Sequence, residues 1–141
     1  MSQPAAVLVV EDDLSTQGLL VAVVKHLGLT ARTADDGHTG LMMMAEAPPD
    51  VILLDLIMPG MDGFEVLREM KHSRSHLLGR TIVITAAAIR NVGECPDLDL
   101  VWKFLRKPLD IDQLGEAIQA CLTQSSRKAG RDDAYEAPPR P

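Results

Sequence analysis

Short apolar runs alternate along the chain with stretches in which apolar positions recur at helical spacing, the pattern of strand, crossover helix and parallel strand. The runs AVLVV (6–10), VILLD (51–55), TIVIT (81–85) and VWKFL (101–105), with the shorter TARTA (30–34), predict five strands. Ser15 is a reasonable N-cap for a first helix that carries Leu20, Val23, Val24 and Leu27 on one stripe and stops at Gly28. The turn DDGHTG opens a second helix that turns Leu41, Met44 and Ala45 inward and closes at PPD. GFEVLREMKH (63–72) is amphipathic, with Phe64, Leu67 and Met70 on one side. A last helix starts at Asp110, with Gln113 completing a capping box, and shows Leu114, Ala117, Ile118, Cys121 and Leu122 at helical spacing. Between strands four and five, AAAIRNVGECPDLDL carries Gly93 and Pro96 where a fourth helix should run. Proline in a helix interior costs about 3 kcal/mol, so that helix is predicted to be short or irregular. From residue 124 the composition shifts to QSSRKAGRDDAYEAPPRP, with too few apolar groups to offset its ordering entropy. The expected division is one domain over 1–123 and a disordered tail over 124–141.

A formal charge of −6 argues against a nucleic-acid or anionic-membrane surface, and no basic cluster interrupts the folded part. Cys95 and Cys121 lack metal-ligand spacing, and His26, His38, His72 and His76 lack that of a zinc site. The run Met42 to Met44 cannot aim three consecutive helical side chains at one ion, so it reads as packing. The opening MSQPAAVLVVEDD meets acid too early for a secretory segment, which makes a reducing cytoplasm the expected compartment.

Five near-continuous apolar strands joined by crossovers imply a doubly wound α/β fold, a parallel sheet covered on both faces. Ligands of such sheets sit beyond the carboxyl ends of the strands. At that edge strand one ends in Glu11, Asp12 and Asp13, strand three in Asp55 and strand four in Thr85, while Lys107 follows strand five. Singly, each has an ordinary use at a helix start or on a solvated surface. Together, several crowded carboxylates cannot all stay ionised beside a single Lys without a further cation. Carboxylates, a backbone carbonyl and waters suit Mg²⁺, which commonly bridges to phosphate. With that charge compensated, Asp55 can act as a nucleophile toward phosphorus.

The set VVEDD, LLDLIMPGMDG, ITA and LRKP, in this order, resembles the receiver domain of bacterial two-component response regulators over residues 5–123. The resemblance implies a flavodoxin-like sheet of order 2-1-3-4-5 and a stand-alone phosphoacceptor domain that is phosphorylated by a histidine kinase or histidine phosphotransfer protein. By position, Asp55 is the phosphorylated aspartate. Asp12 and Asp55 are Mg²⁺ ligands, Glu11 acts largely through water, and Ile57 lends its backbone carbonyl. Thr85 and Lys107 bind the phosphoryl oxygens, and Phe104 is the switch aromatic on a face made by the fourth helix, strand five and the fifth helix. The Lys107–Pro108 peptide is expected to be cis. Ile57 and Ala87 flank the site with apolar side chains, so attacking water should be poorly placed. A small pair usually precedes strand five in the family. Here Leu100 and Val101 stand there, followed by Trp102, either an exposed partner anchor or a ring folded back on the core. The expected assembly is a monomer or a weak phosphorylation-dependent dimer, with an unidentified downstream protein, no direct nucleic-acid contact and no catalysis beyond its own phosphorylation and dephosphorylation. Two rivals are a Mg²⁺-dependent phosphatase of the haloacid-dehalogenase type and a phosphorylation-independent binding module. The first needs an Asp two residues after the nucleophile, where this chain has Ile57.

Overall fold

The apolar runs become one sheet in the computed structural model, which describes residues 4–86 and 96–130. The strands are β1 (Ala6–Val10), β2 (Thr30–Ala34), β3 (Val51–Leu54), β4 (Thr81–Thr85) and β5 (Lys103–Arg106), all parallel, in the order β2-β1-β3-β4-β5. Around them lie α1 (Leu14–His26), α2 (Gly37–Glu46), α3 (Gly63–Ser73) and α4 (Ile111–Gly130). Because side chains alternate across a strand, the central strands feed two cores at once. Leu8, Val10, Ile52, Leu54 and Val83 meet α2 and α3 on one face, with Met44, Leu67 and Met70. Val7, Val9, Leu53, Ile82, Ile84 and Leu105 meet α1 and α4 on the other, with Val24, Leu114 and Ile118. This double burial explains why β1, β3 and β4 read as continuous apolar runs.

Several boundaries differ from the pattern-based expectation. The N-cap of α1 is Asp13, not Ser15: its carboxylate accepts from the Thr16 N–H at 2.9 Å and from the Thr16 hydroxyl at 2.8 Å. An anionic acceptor beside the positive end of the helix is a strong cap. On α2 the buried stripe is Gly37, Gly40 and Met44, while Ala45 is exposed. Leu41 packs partly buried on the same core, and Gly40 lets α2 lie so close to β1 that an added Cβ would stand 3.0 Å from a Val10 methyl. β5 starts at Lys103; Val101 and Trp102 form the bend that leads into it.

α4 continues to Gly130, past the expected boundary at 123. Between Gly115 and Gly130 the sequence has no Pro or Gly, and propagating a helix adds one bond per residue without needing a core. The rest of the proposed tail, 131–141, lies outside the described residues, as does most of the predicted fourth helix, together with Ala87. The described end of that connection, Pro96–Leu100, is a single 3-10 turn. Among the described residues no helix is long and apolar enough to cross a membrane.

Candidate phosphoacceptor site

Each strand that feeds the site is prolonged by one last ladder bond that fixes the first residue beyond it. The Glu11 N–H donates to the Ala34 carbonyl at 3.1 Å, the Asp55 N–H to that of Val10 at 3.1 Å, and the Lys107 N–H to that of Thr85 at 3.0 Å. The three side chains converge in consequence. Lys107 Nζ stands 3.1 Å from Glu11 Oε1 and 3.3 Å from Asp55 Oδ2. The remaining oxygens take backbone donors: Glu11 Oε2 from the Asp13 N–H at 3.1 Å and Asp55 Oδ1 from the Ile57 N–H at 3.2 Å. Glu11 and Asp55 are buried, while Asp12 is more open. One carboxylate oxygen from each of Glu11, Asp12 and Asp55 lies within 4.8 Å of the others.

Burial pushes the Glu11 carboxyl up to about 6, against the opposing pull of the Asp13 N–H and of Lys107. Burial works against the charge on Lys107, but its bonds to Glu11 and its field from Asp55 outweigh that and raise its pKa. One ammonium therefore faces three carboxylates, and the donors are all oxygen at spacings that one small hard cation can share. The residues present fit Mg²⁺.

A family model described as the response regulator receiver domain matches residues 7–119. The chain belongs to this family. Receiver domains accept a phosphoryl group on an aspartate. Among curated relatives, NtrC of Salmonella typhimurium is 31% identical over 121 residues, 86% of this chain but 25% of its own length. AtoC of Escherichia coli is 34% identical over 124 residues, 86% of this chain and 26% of its own. The chain thus spans about a quarter of those proteins. It spans 95% of sporulation initiation phosphotransferase F of Bacillus subtilis, to which it is 32% identical over 121 residues. Among solved structures, a receiver domain protein of Clostridium thermocellum superimposes with a TM-score of 0.77 at 24% identity, covering 87% of this chain and 98% of that one, a likeness of fold. Chemotaxis protein CheY4 of Vibrio cholerae gives 0.74 at 25% identity, covering 85% and 100%.

Of the residues singled out from sequence, Glu11, Asp12, Asp55 and Lys107 meet in this receiver domain's acidic cluster. Thr85 is buried at the carboxyl end of β4, beside Lys107 through the backbone bond. Ile57 adds its N–H to the Asp55 carboxylate and leaves its side chain exposed. Phe104 lies outside the cluster, half-buried against the core under α2 and α3. Trp102 is at the opposite edge of the sheet, where its N–H pairs with Thr81, the first residue of β4. Its ring packs half-buried on the α1 and α4 side, with an enclosed indole N–H that has no partner among the described residues. The Lys107–Pro108 peptide is cis.

Residues around the cluster support it. Gly63 passes directly against the Asp55 carbonyl and Leu56 Cα, and its N–H donates to the Leu56 carbonyl at 2.9 Å. Gln17, on α1, bonds the Glu11 carbonyl and Asp35. Asp62 and Glu65 close a reciprocal capping box at the start of α3, a signal that the DxxE spacing does carry.

Proposed function

We propose that Asp55 is the phosphoacceptor of a cytoplasmic signalling module, loaded in a Mg²⁺-dependent reaction by a histidine kinase or histidine phosphotransfer protein. The observation that carries this reading is the meeting of three carboxylates and one ammonium from three strand ends in a partly buried pocket. Asp12 and Asp55 would hold the ion directly, the Ile57 carbonyl would complete the protein's share, and Glu11 would act through water. A bound Mg²⁺ supplies positive charge for the incoming phosphoryl oxygens. In the transfer, an Asp55 oxygen forms a bond to phosphorus as the phosphorus–nitrogen bond of the donor phosphohistidine breaks, the electron pair leaving on the imidazole. Lys107 exchanges one of its carboxylate partners for a phosphoryl oxygen and stays an ammonium throughout. The domain catalyses only this loading and the later hydrolysis; an external phosphoester finds no second Asp at position 57 to serve as acid.

Beryllofluoride, a phosphoryl mimic, tests the pocket. With Mg²⁺ a single bound fluoride species is expected by fluorine NMR, and none in Asp55→Asn; absence of the species in the parent would refute the reading.

The pH dependence has a definite sign. Glu11 releases its proton only as pH rises through about 6, so a proton competes with the cation below that value. Mg²⁺ affinity is expected to be several-fold weaker at about pH 5 than at about pH 7 and level above that. A flat calorimetric profile would count against a role for Glu11 in holding the ion.

The phosphoryl group adds about two negative charges and three acceptors at Asp55. Thr85 and Lys107 reach those oxygens by moving inward, and the half-buried Phe104 fills the space, repacking the surface made by the β4–β5 connection, β5 and α4. Such a shift comes only from the group's differential contacts with two states. Phe104→Ala is therefore expected to leave phosphoryl uptake within about twofold while weakening capture of the downstream protein by roughly tenfold. Equal capture by parent and variant in a pull-down on beryllofluoride-loaded protein would rule out the switch.

A further inference from the structure

The four groups of the acidic cluster are not held equally. Both oxygens of Glu11 and both of Asp55 take a backbone N–H or the Lys107 ammonium, whereas the Asp12 carboxylate accepts no hydrogen bond among the described residues. Its aim depends on the plane of the Glu11–Asp12 peptide that precedes it. That plane is held through its carbonyl. This carbonyl, that of Glu11, accepts from Gln17 Nε2 at 2.9 Å, while the preceding Val10–Glu11 peptide is fixed by the Glu11 N–H on the Ala34 carbonyl. The same Nε2 donates its second hydrogen to Asp35 Oδ1, also at 2.9 Å, in the loop after β2. Asp35 adjoins Asp36, which caps α2 through the Thr39 N–H at 2.7 Å, so the far end of the clamp is anchored on a regular element.

We propose that Gln17 is a positioning residue for the cation site: its amide, braced on Asp35, fixes the Glu11–Asp12 peptide and so aims the one carboxylate of the cluster that no other described residue bonds. The inference rests on the Mg²⁺ reading above and deepens it. An outer partner of this kind changes metal affinity by about ten- to a hundredfold when removed.

Magnesium titrations of the full chain followed by amide NMR provide the test. In the parent, the Gln17 side-chain amide resonances are expected to shift on the same saturation curve as the Asp12 and Asp55 backbone amides, a signature that a merely structural glutamine would not give. Gln17→Met keeps the reach and loses both donors; its dissociation constant is expected to rise about tenfold. Should that variant fold poorly, the anchor gives an independent answer. Asp35→Asn keeps the acceptor and removes the charge, Asp35→Ala removes both, and the proposal requires Asp35→Ala to bind several-fold more weakly than Asp35→Asn. Equal affinities in that pair, Gln17→Met within about twofold of the parent, or a Gln17 amide indifferent to the ion would each overturn the proposal while leaving the cation site intact. A parent that binds no Mg²⁺ would overturn both readings.

Discussion

Asp55→Asn is expected to abolish covalent phosphoryl incorporation while leaving the domain folded. Asn keeps the volume of the side chain and an oxygen that can accept the Ile57 N–H, now received at 3.2 Å, so the start of the β3–α3 loop retains its geometry. What it loses is the anionic oxygen that faces Lys107 at 3.3 Å, the atom that would bond to phosphorus. An amide in its place is no nucleophile under these conditions, so the effect is total rather than graded. The measurement is radiolabel transfer from a small-molecule phosphodonor, with the thermal melt as the control for folding. Label retained at the parent's level would move the phosphoacceptor to another residue.

The second large effect lies in the backbone beneath that carboxylate. Gly63, the first residue of α3, is buried, and a Cβ there would collide with the Asp55 carbonyl and Leu56 Cα. Both neighbours are main-chain atoms in the segment that presents Asp55, so neither can yield without displacing it. Overpacking a tight site costs about 1–3 kcal/mol, and with backbone on the receiving side Gly63→Ala belongs at the upper end, a fall in Tm of roughly 10 °C. Phosphoryl uptake measured well below the new Tm should drop further than unfolding explains. Gly60 offers the contrast: its φ of 73° demands a left-handed backbone, yet open space surrounds it. Gly60→Ala therefore meets only conformational strain, about 1 kcal/mol, with uptake largely kept. Equal melts for the two variants would contradict this distinction between space and conformation.

These two glycines also mark what the sequence could disclose. The motif LLDLIMPGMDG places Gly60 and Gly63 after β3, but which glycine needs conformation and which needs room depends on how the chain folds back onto the Asp55 carbonyl. The strands were legible because burial on both faces leaves an unbroken apolar run, and the acids at their ends followed from the parallel topology. Lys107 could be placed at that edge, though not paired with Glu11 and Asp55, since the pairing depends on the final bend of three strands. On α2 the expected Leu41 and Met44 do face the core, but Ala45 does not, and Gly37 and Gly40 on the buried side left no trace in a hydrophobic pattern because their contacts, with Val66 and Met61 and with Val10, lie across the fold. The N-cap of α1 was misread because Asp13 and Ser15 are both competent caps; the carboxylate bonds Thr16 twice and begins the helix earlier. Gln17 left no sequence signal, for its two bonds reach a carbonyl and a loop that no periodicity relates. The length of α4 was underestimated because composition reports the lack of a core, not the absence of helix.

The central claim, that a cation held by Glu11, Asp12 and Asp55 enables Asp55 to take up a phosphoryl group, is tested most directly by intact mass after incubation with acetyl phosphate. With Mg²⁺ a single added phosphoryl is expected, mapped to the peptide bearing Asp55; with a chelator in place of the ion, none. No addition with Mg²⁺, or equal addition in the chelator, would contradict the account.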